Sequence, residues 1–154
     1  MKDAGCRRRV LAVASSGGHW AQLLRIMPAL DSSEVTFVTV LESYRSQVPD
    51  QRFYRVNDAN RWNKLGLVVL AAQIAVIVSK ERPDVVISTG AAPGFFALWF
   101  GRMFGARTIW MDSVTNIDRL SMSGSLVGRY ADLWLTQWPH LARPKGPQYA
   151  GAVL

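Results

Sequence analysis

Ser15-Ser16-Gly17-Gly18-His19 closes a strand-like run over 10–14, and Thr89-Gly90-Ala91-Ala92-Pro93-Gly94 closes another over 85–88. Each turn passes into a helix-like segment. A glycine-rich turn at such a junction leaves backbone N–H groups pointing outward, with the positive end of the helix dipole behind them. That is a setting for a phosphate or diphosphate. Ser16, Gly17, Gly18, Thr89 and Gly90 are therefore the candidate diphosphate contacts. His19 adds an imidazole whose ordinary pKa, about 6.5, suits it to take a proton from an attacking hydroxyl. The alternative is a structural histidine that caps the helix or touches the diphosphate. Asp112 ends the run over 107–111 at the same edge, beside Ser113. It is a second candidate base, a sugar-hydroxyl acceptor, or a cap for the next turn. Trp138, in Gln137-Trp138-Pro139, either stacks on a sugar or fills an interface.

Other chemistries lack their residues. The first turn has no G-x-G-x-x-G and no acidic residue ends the second strand, so a dinucleotide fingerprint is poorly supported. No G-x-x-x-x-G-K-[ST] is present. Two histidines, one cysteine and scattered acids give no metal-ligand spacing, and no metal or cofactor is expected. The single Cys6 cannot bridge within the chain, so nothing points to an oxidising compartment.

The elements that must position these residues follow from periodicity. Strands are expected over 9–14, 35–40, 53–56, 84–88, 107–111 and 132–136. Helices are expected over 19–30, 61–81, 93–104 and 123–130, with a short helix or loop near 43–50. A tail with one last short strand follows Trp138. Continuous apolar runs such as Val85-Val86-Ile87 suit strands covered on both faces. The β-α alternation indicates an α/β, Rossmann-like domain over 1–154, with a doubly wound parallel sheet and its ligand crevice at the strand C-terminal ends.

Composition agrees with one folded domain: 154 residues, 49% hydrophobic and 19% charged. The net charge of +7 calls for an anionic partner. Zinc-ligand sets, strand-borne aromatic platforms and long basic helices are missing, so nucleic acid is not expected. From Leu65 to Val78 only Gly66 and Gln73 interrupt an apolar run, too short to span a bilayer, which needs about 20 residues. Arg61, Trp62 and Lys64 flank one end, Lys80 and Arg82 the other, as in an interfacial segment. Burial against the core or a partner competes with membrane contact there. In the membrane reading, Trp62, Lys64, Leu67 and Leu70 meet an anionic headgroup layer. The Phe95-Phe96-Ala97-Leu98-Trp99-Phe100 run carries more aromatics than one buried face needs.

Ser16-Gly17-Gly18-His19 after the first strand resembles the acceptor-side loop of GT-B glycosyltransferases, including the peptidoglycan enzyme that forms lipid II. A more specific set is Asp112-Ser113, Leu120-Ser121-Met122-Ser123-Gly124, Gln137-Trp138-Pro139 and Tyr149-Ala150-Gly151, with Arg82-Pro83-Asp84 and Gly90. Together these resemble the membrane-associated subunit of the two-subunit N-acetylglucosaminyltransferase of lipid-linked oligosaccharide assembly, and its bacterial exopolysaccharide and capsule relatives. The resemblance runs from Val10 to Gly151. It implies a split GT-B enzyme in which this chain, equivalent to the N-terminal half, holds a polyprenyl-diphosphate-linked acceptor. A second subunit, like the C-terminal half, would bind the nucleotide-sugar donor. Ser113, Asn116, Arg119, Ser121, Ser123 and Trp138 then become acceptor-sugar or interface residues. The family often reads Glu-Ser at the first motif and a basic residue three positions later. Here stand Asp112 and Asn116, with Arg119 nearby. The eukaryotic subunit carries an N-terminal anchor that is not read here, so helix 65–78 is expected to meet the cytoplasmic face of the membrane, peripherally or monotopically.

The leading function is thus the acceptor-binding subunit of an inverting glycosyltransferase (a hexosyltransferase) in polysaccharide biosynthesis. A non-catalytic recruiter that tethers or enhances a glycosyltransferase is the alternative, and it needs no histidine in the crevice. A stand-alone oxidoreductase is disfavoured by the absent dinucleotide fingerprint.

Overall fold

The computed structural model describes residues 7–153, so Cys6 lies outside the described residues. The strands are β1 (Arg9–Val13), β2 (Glu34–Thr39), β3 (Arg52–Arg55), β4 (Val85–Ser88), β5 (Arg107–Met111), β6 (Leu133–Thr136) and β7 (Gln148–Tyr149). The helices are α1 (Gly18–Arg25), α2 (Lys64–Glu81), α3 (Ala91–Met103) and α4 (Met122–Val127), with 3₁₀ turns at Met27–Leu30, Glu42–Gln47 and Pro139–Leu141. The strands form one sheet in the order β3-β2-β1-β4-β5-β6-β7, and every pairing is parallel. This is the α/β architecture expected, with the order reversing between β1 and β4. In open parallel sheets this reversal point, past the strand C-terminal ends, is where the ligand crevice is placed.

Alternation sorts the sheet into two cores. Leu11, Val13, Val86 and Trp110 face α2, α3 and α4 and pack with Leu70, Ile74, Val78, Ala97, Leu98 and Val127. Val10, Ala12, Phe37 and Ile87 face the other way, against Trp20 and Leu23 of α1. Helix α3 lies close on β4 because position 94 carries no side chain: a Cβ there would stand 1.8 Å from Ser88 Oγ. At the opposite edge of the sheet, Glu81 accepts from Arg52 Nη1 (2.9 Å) and the Tyr54 hydroxyl, while Arg52 Nη2 also reaches Glu34 (3.0 Å).

Boundaries differ from expectation where local chemistry overrides periodicity. Helix 19–30 divides at Ile26 and continues as a 3₁₀ turn carrying Pro28 near its start, because proline has no N–H to extend the α ladder. Helix 61–81 begins only at Lys64: Asn63 caps it, its Oδ1 accepting from Gly66 N at 2.8 Å. It ends at Arg82 in the left-handed conformation before Pro83. Helix 123–130 is shorter, Met122–Val127, with Ser121 as its cap.

Candidate functional site

Four strand ends converge on the crevice. After β1, Gly17 at φ 68 turns the chain into α1, and the Tyr44 hydroxyl accepts from its N–H at 3.0 Å. His19 follows, half-buried. Its Nδ1 lies 2.8 Å from Ser15 Oγ. The ring rests on the backbone after β4, where a Cβ at Gly90 would come within 2.6 Å of His19 Nε2. Burial pushes the His19 pKa below the ordinary value, and the Asp112 charge partly restores it.

The second glycine turn serves this histidine. The buried Thr89 hydroxyl donates to the His19 carbonyl at 2.6 Å, and Gly90 N–H donates to Ser88 Oγ at 3.1 Å. The Thr89 hydroxyl and the Gly90 N–H are thus paired within the protein. Among the candidate diphosphate contacts, Ser16, Gly17 and Gly18 remain at the surface of the first turn, Ser16 half-buried and the glycines exposed.

Asp112, directly after β5, is buried and saturated with donors. Its Oδ1 accepts from Ser121 Oγ (2.6 Å) and Trp110 Nε1 (3.2 Å), its Oδ2 from Ser121 N (3.0 Å) and Asn116 Nδ2 (3.1 Å). Such charge-assisted bonds are each worth roughly 1.5–3 kcal/mol, so this carboxylate holds the loop over 113–121 in shape. Trp138 and His140 hold the same loop from β6: Trp138 Nε1 donates to Val114 O at 2.7 Å, and His140 Nε2 lies 2.5 Å from Ile117 O. Of the candidate acceptor-sugar residues, Ser113, Asn116, Ser121 and Trp138 are brought together by this loop. Arg119 stands exposed on it, and Ser123 is half-buried on α4.

Sequence reading missed Ser15, Gln22, Gln137 and His140. Gln22 carried a signal: it is a polar residue on the buried face of α1, three positions after His19. His140 carried none, since its partner Ile117 lies 23 residues away, whereas Ser15 lies four residues before His19 in the same turn.

The apolar helix shows a split character. Leu70 is fully buried in the core, so it cannot be a membrane contact, and Leu67 is only half-exposed. The outward stripe is Leu65, Val68, Val69 and Val76, with Trp62 at its head and 80% exposed. The Arg61 guanidinium sits over the Trp62 ring at 4.7 Å, and Met122 and Leu126 of α4 extend the exposed apolar surface. Among the described residues no helix is long and apolar enough to cross a membrane.

The family model described as oligosaccharide biosynthesis protein Alg14-like matches residues 66–153. The UDP-N-acetylglucosamine transferase subunit ALG14 of Yarrowia lipolytica is 27% identical, over 87% of this chain and 75% of that protein. The Schizosaccharomyces pombe subunit of the same name is 24% identical, over 96% of this chain and 84% of that protein. In structure, the chain is similar to Acinetobacter baumannii MurG (TM-score 0.74, 12% identity, 94% of this chain and 45% of that one). It is also similar to UDP-N-acetylglucosamine 2-epimerase from Rickettsia bellii (TM-score 0.68, 10% identity, 88% of this chain and 40% of that one). The chain thus spans less than half the length of these solved structures, and its fold corresponds to the N-terminal half of the GT-B architecture.

Proposed function

The chain belongs to the family of Alg14-like oligosaccharide biosynthesis proteins, and on that premise we propose that it is the acceptor-binding, membrane-contacting subunit of an inverting glycosyltransferase. In this reading a separate subunit, like the C-terminal half of a GT-B enzyme, binds a UDP-N-acetylglucosamine-type donor. The acceptor is a saccharide on a polyprenyl diphosphate. The single observation that carries the reading is the seating of His19: one ring nitrogen engaged by Ser15, the other edge against Gly90, at the crevice of half a two-domain fold.

The mechanism follows from that seating. With Nδ1–H donating to Ser15 Oγ, Nε2 keeps its lone pair and can take the proton of the acceptor hydroxyl as that oxygen attacks the donor sugar. Burial favours the neutral imidazole that this step needs. Asp112 does not take the proton, because its lone pairs are committed to the loop; its charge instead favours the imidazolium that forms. The first glycine turn and the N-terminus of α1 receive the acceptor diphosphate through Ser16 and Gly18, while Gly17 shapes the turn with its own N–H given to the Tyr44 hydroxyl. Asn116, Arg119 and Ser123 flank the sugar. In this reading Trp62, just ahead of α2, and Lys64, Leu65 and Val68 of α2 meet the headgroup layer of an anionic, cytoplasmic membrane face, with Arg61 and Arg82 adding attraction.

The test is reconstitution. The chain alone, its donor-binding partner alone and the two together are assayed with UDP-N-acetylglucosamine and a polyprenyl-diphosphate saccharide. Transfer only by the pair supports the proposal. Full transfer by either subunit alone contradicts it; transfer by the partner alone, merely enhanced by this chain, returns the recruiter reading.

A further inference from the structure

Two glutamines beneath the C-terminal edge of the sheet are almost wholly buried, Gln22 on α1 and Gln137 directly after β6, each 3% exposed. They are 115 residues apart in the chain, and Gln137 Nε2 donates to Gln22 Oε1 at 2.9 Å. The same Nε2 donates to the carbonyl of Asp112 at 2.9 Å, while Gln137 Oε1 accepts from the backbone N–H of Val153 at 2.7 Å. Gln22 Nε2 donates onward to Ser113 Oγ at 3.3 Å. The backbone partners leave no freedom in how these amides are oriented. A carbonyl only accepts and an N–H only donates, so Gln137 must turn Oε1 to Val153 and Nε2 to Asp112, and Gln22 must then offer Oε1.

An apolar pair of the same volume would fill this space without the cost of desolvating two amides. What the amides add is direction: a fully satisfied buried network admits one arrangement of the groups it joins. The groups joined here are the helix bearing His19, three residues from Gln22, and the first residues of the loop bearing Asn116 and Arg119. We infer that Gln22 and Gln137 are positioning residues, which lock the His19 helix to the acceptor loop in the geometry required for transfer. This rests on the reading of His19 as the base.

The experiment uses Gln22→Met, Gln137→Met and the double variant, each assayed in the complex with the donor-binding subunit. Each single variant is expected to lower kcat by roughly 10- to 100-fold while the acceptor KM changes by no more than about threefold, because displaced catalytic groups cost rate before affinity. The double variant is expected to be no slower than the slower single, since the two amides act as one unit. A second readout needs no partner or substrate. In the full chain, the ring resonances of His19, one of only two histidines, are expected to move in Gln137→Met although that side chain does not touch the ring. Ser113→Ala, which removes the acceptor of Gln22 together with the local contacts to Thr115, should move them too and serves if the glutamine variants do not fold. Variants that lower Tm but keep kcat and the His19 resonances overturn the inference, as do losses that multiply in the double variant. A wild-type complex without transfer activity defeats the proposed function instead, and the resonances still decide the positioning claim.

Discussion

The imidazole of His19 and the backbone of Gly90 are in such close contact that a Cβ at position 90 would stand 2.3 Å from His19 Cδ2. Gly90 also has φ 148, a conformation that side chains rarely adopt. The second glycine turn is therefore a seat for the histidine, and the two positions should fail together. Gly90→Ala is expected to cost roughly 1–3 kcal/mol in stability through strain and to displace the ring, abolishing most transfer activity in a chain that still folds. Circular dichroism melting beside a transfer assay checks both parts.

His19→Ala should lower kcat by about 100-fold or more, the size of a general-base contribution, with the melting temperature little changed. His19→Gln separates the alternatives. If the ring only touched the diphosphate, the glutamine variant would keep much of the rate and raise the acceptor KM; as a base, it must stay slow at saturating acceptor.

The pH profile carries a sign that can be checked. Burial lowers the His19 pKa and Asp112 opposes that shift. In the proposed mechanism His19 acts as a base when neutral, so kcat/KM should rise with pH through an inflection below the ordinary value of about 6.5 and stay flat above it. Asp112→Asn removes the opposing charge and should move the inflection further down. An inflection that moves up in that variant would show that Asp112 does not act on the ring through its charge.

Acid should weaken the fold at the edge far from the crevice. Burial pushes the Glu81 pKa up, but Tyr54 and Arg52 more than offset it, leaving the carboxyl below its usual value. A lowered native value means that the stabilisation is fully present above the ordinary carboxyl range and is lost as pH falls through the native value. Tm measured against pH should therefore drop on the acid side in the wild type. Glu81→Gln should be less stable at neutral pH and show a shallower acid drop.

The proposed membrane contact predicts different outcomes for the two faces of α2. Leu65→Glu with Val68→Glu changes exposed positions and should release the folded protein from anionic vesicles. High salt should weaken the wild type only in part, because the apolar contribution is not screened. Leu70→Glu, by contrast, puts a carboxylate into the core and should unfold the chain. Vesicle flotation with a parallel thermal melt distinguishes these outcomes; a wild type that ignores vesicles returns the stripe to a protein interface.

Sequence alone determined the element order, the parallel sheet and the placement of His19 and Asp112 at one edge. Those features rest on local signals: apolar runs of strand length, glycines at strand-to-helix turns and the β-α alternation. The ordered motifs from Val10 to Gly151 also pointed to the family. Tertiary structure decided the rest, for two physical reasons. Helix α2 is apolar on nearly every side, so its sequence has no phase, and only packing on the sheet shows that Leu70 turns inward while Leu65 and Val68 turn out. Hydrogen-bond partners that join different strand ends are remote in the chain, Thr89 with His19 and Gln137 with Gln22, 70 and 115 residues apart. A donor that looks free in the sequence is spent or available according to which distant group folding brings to it.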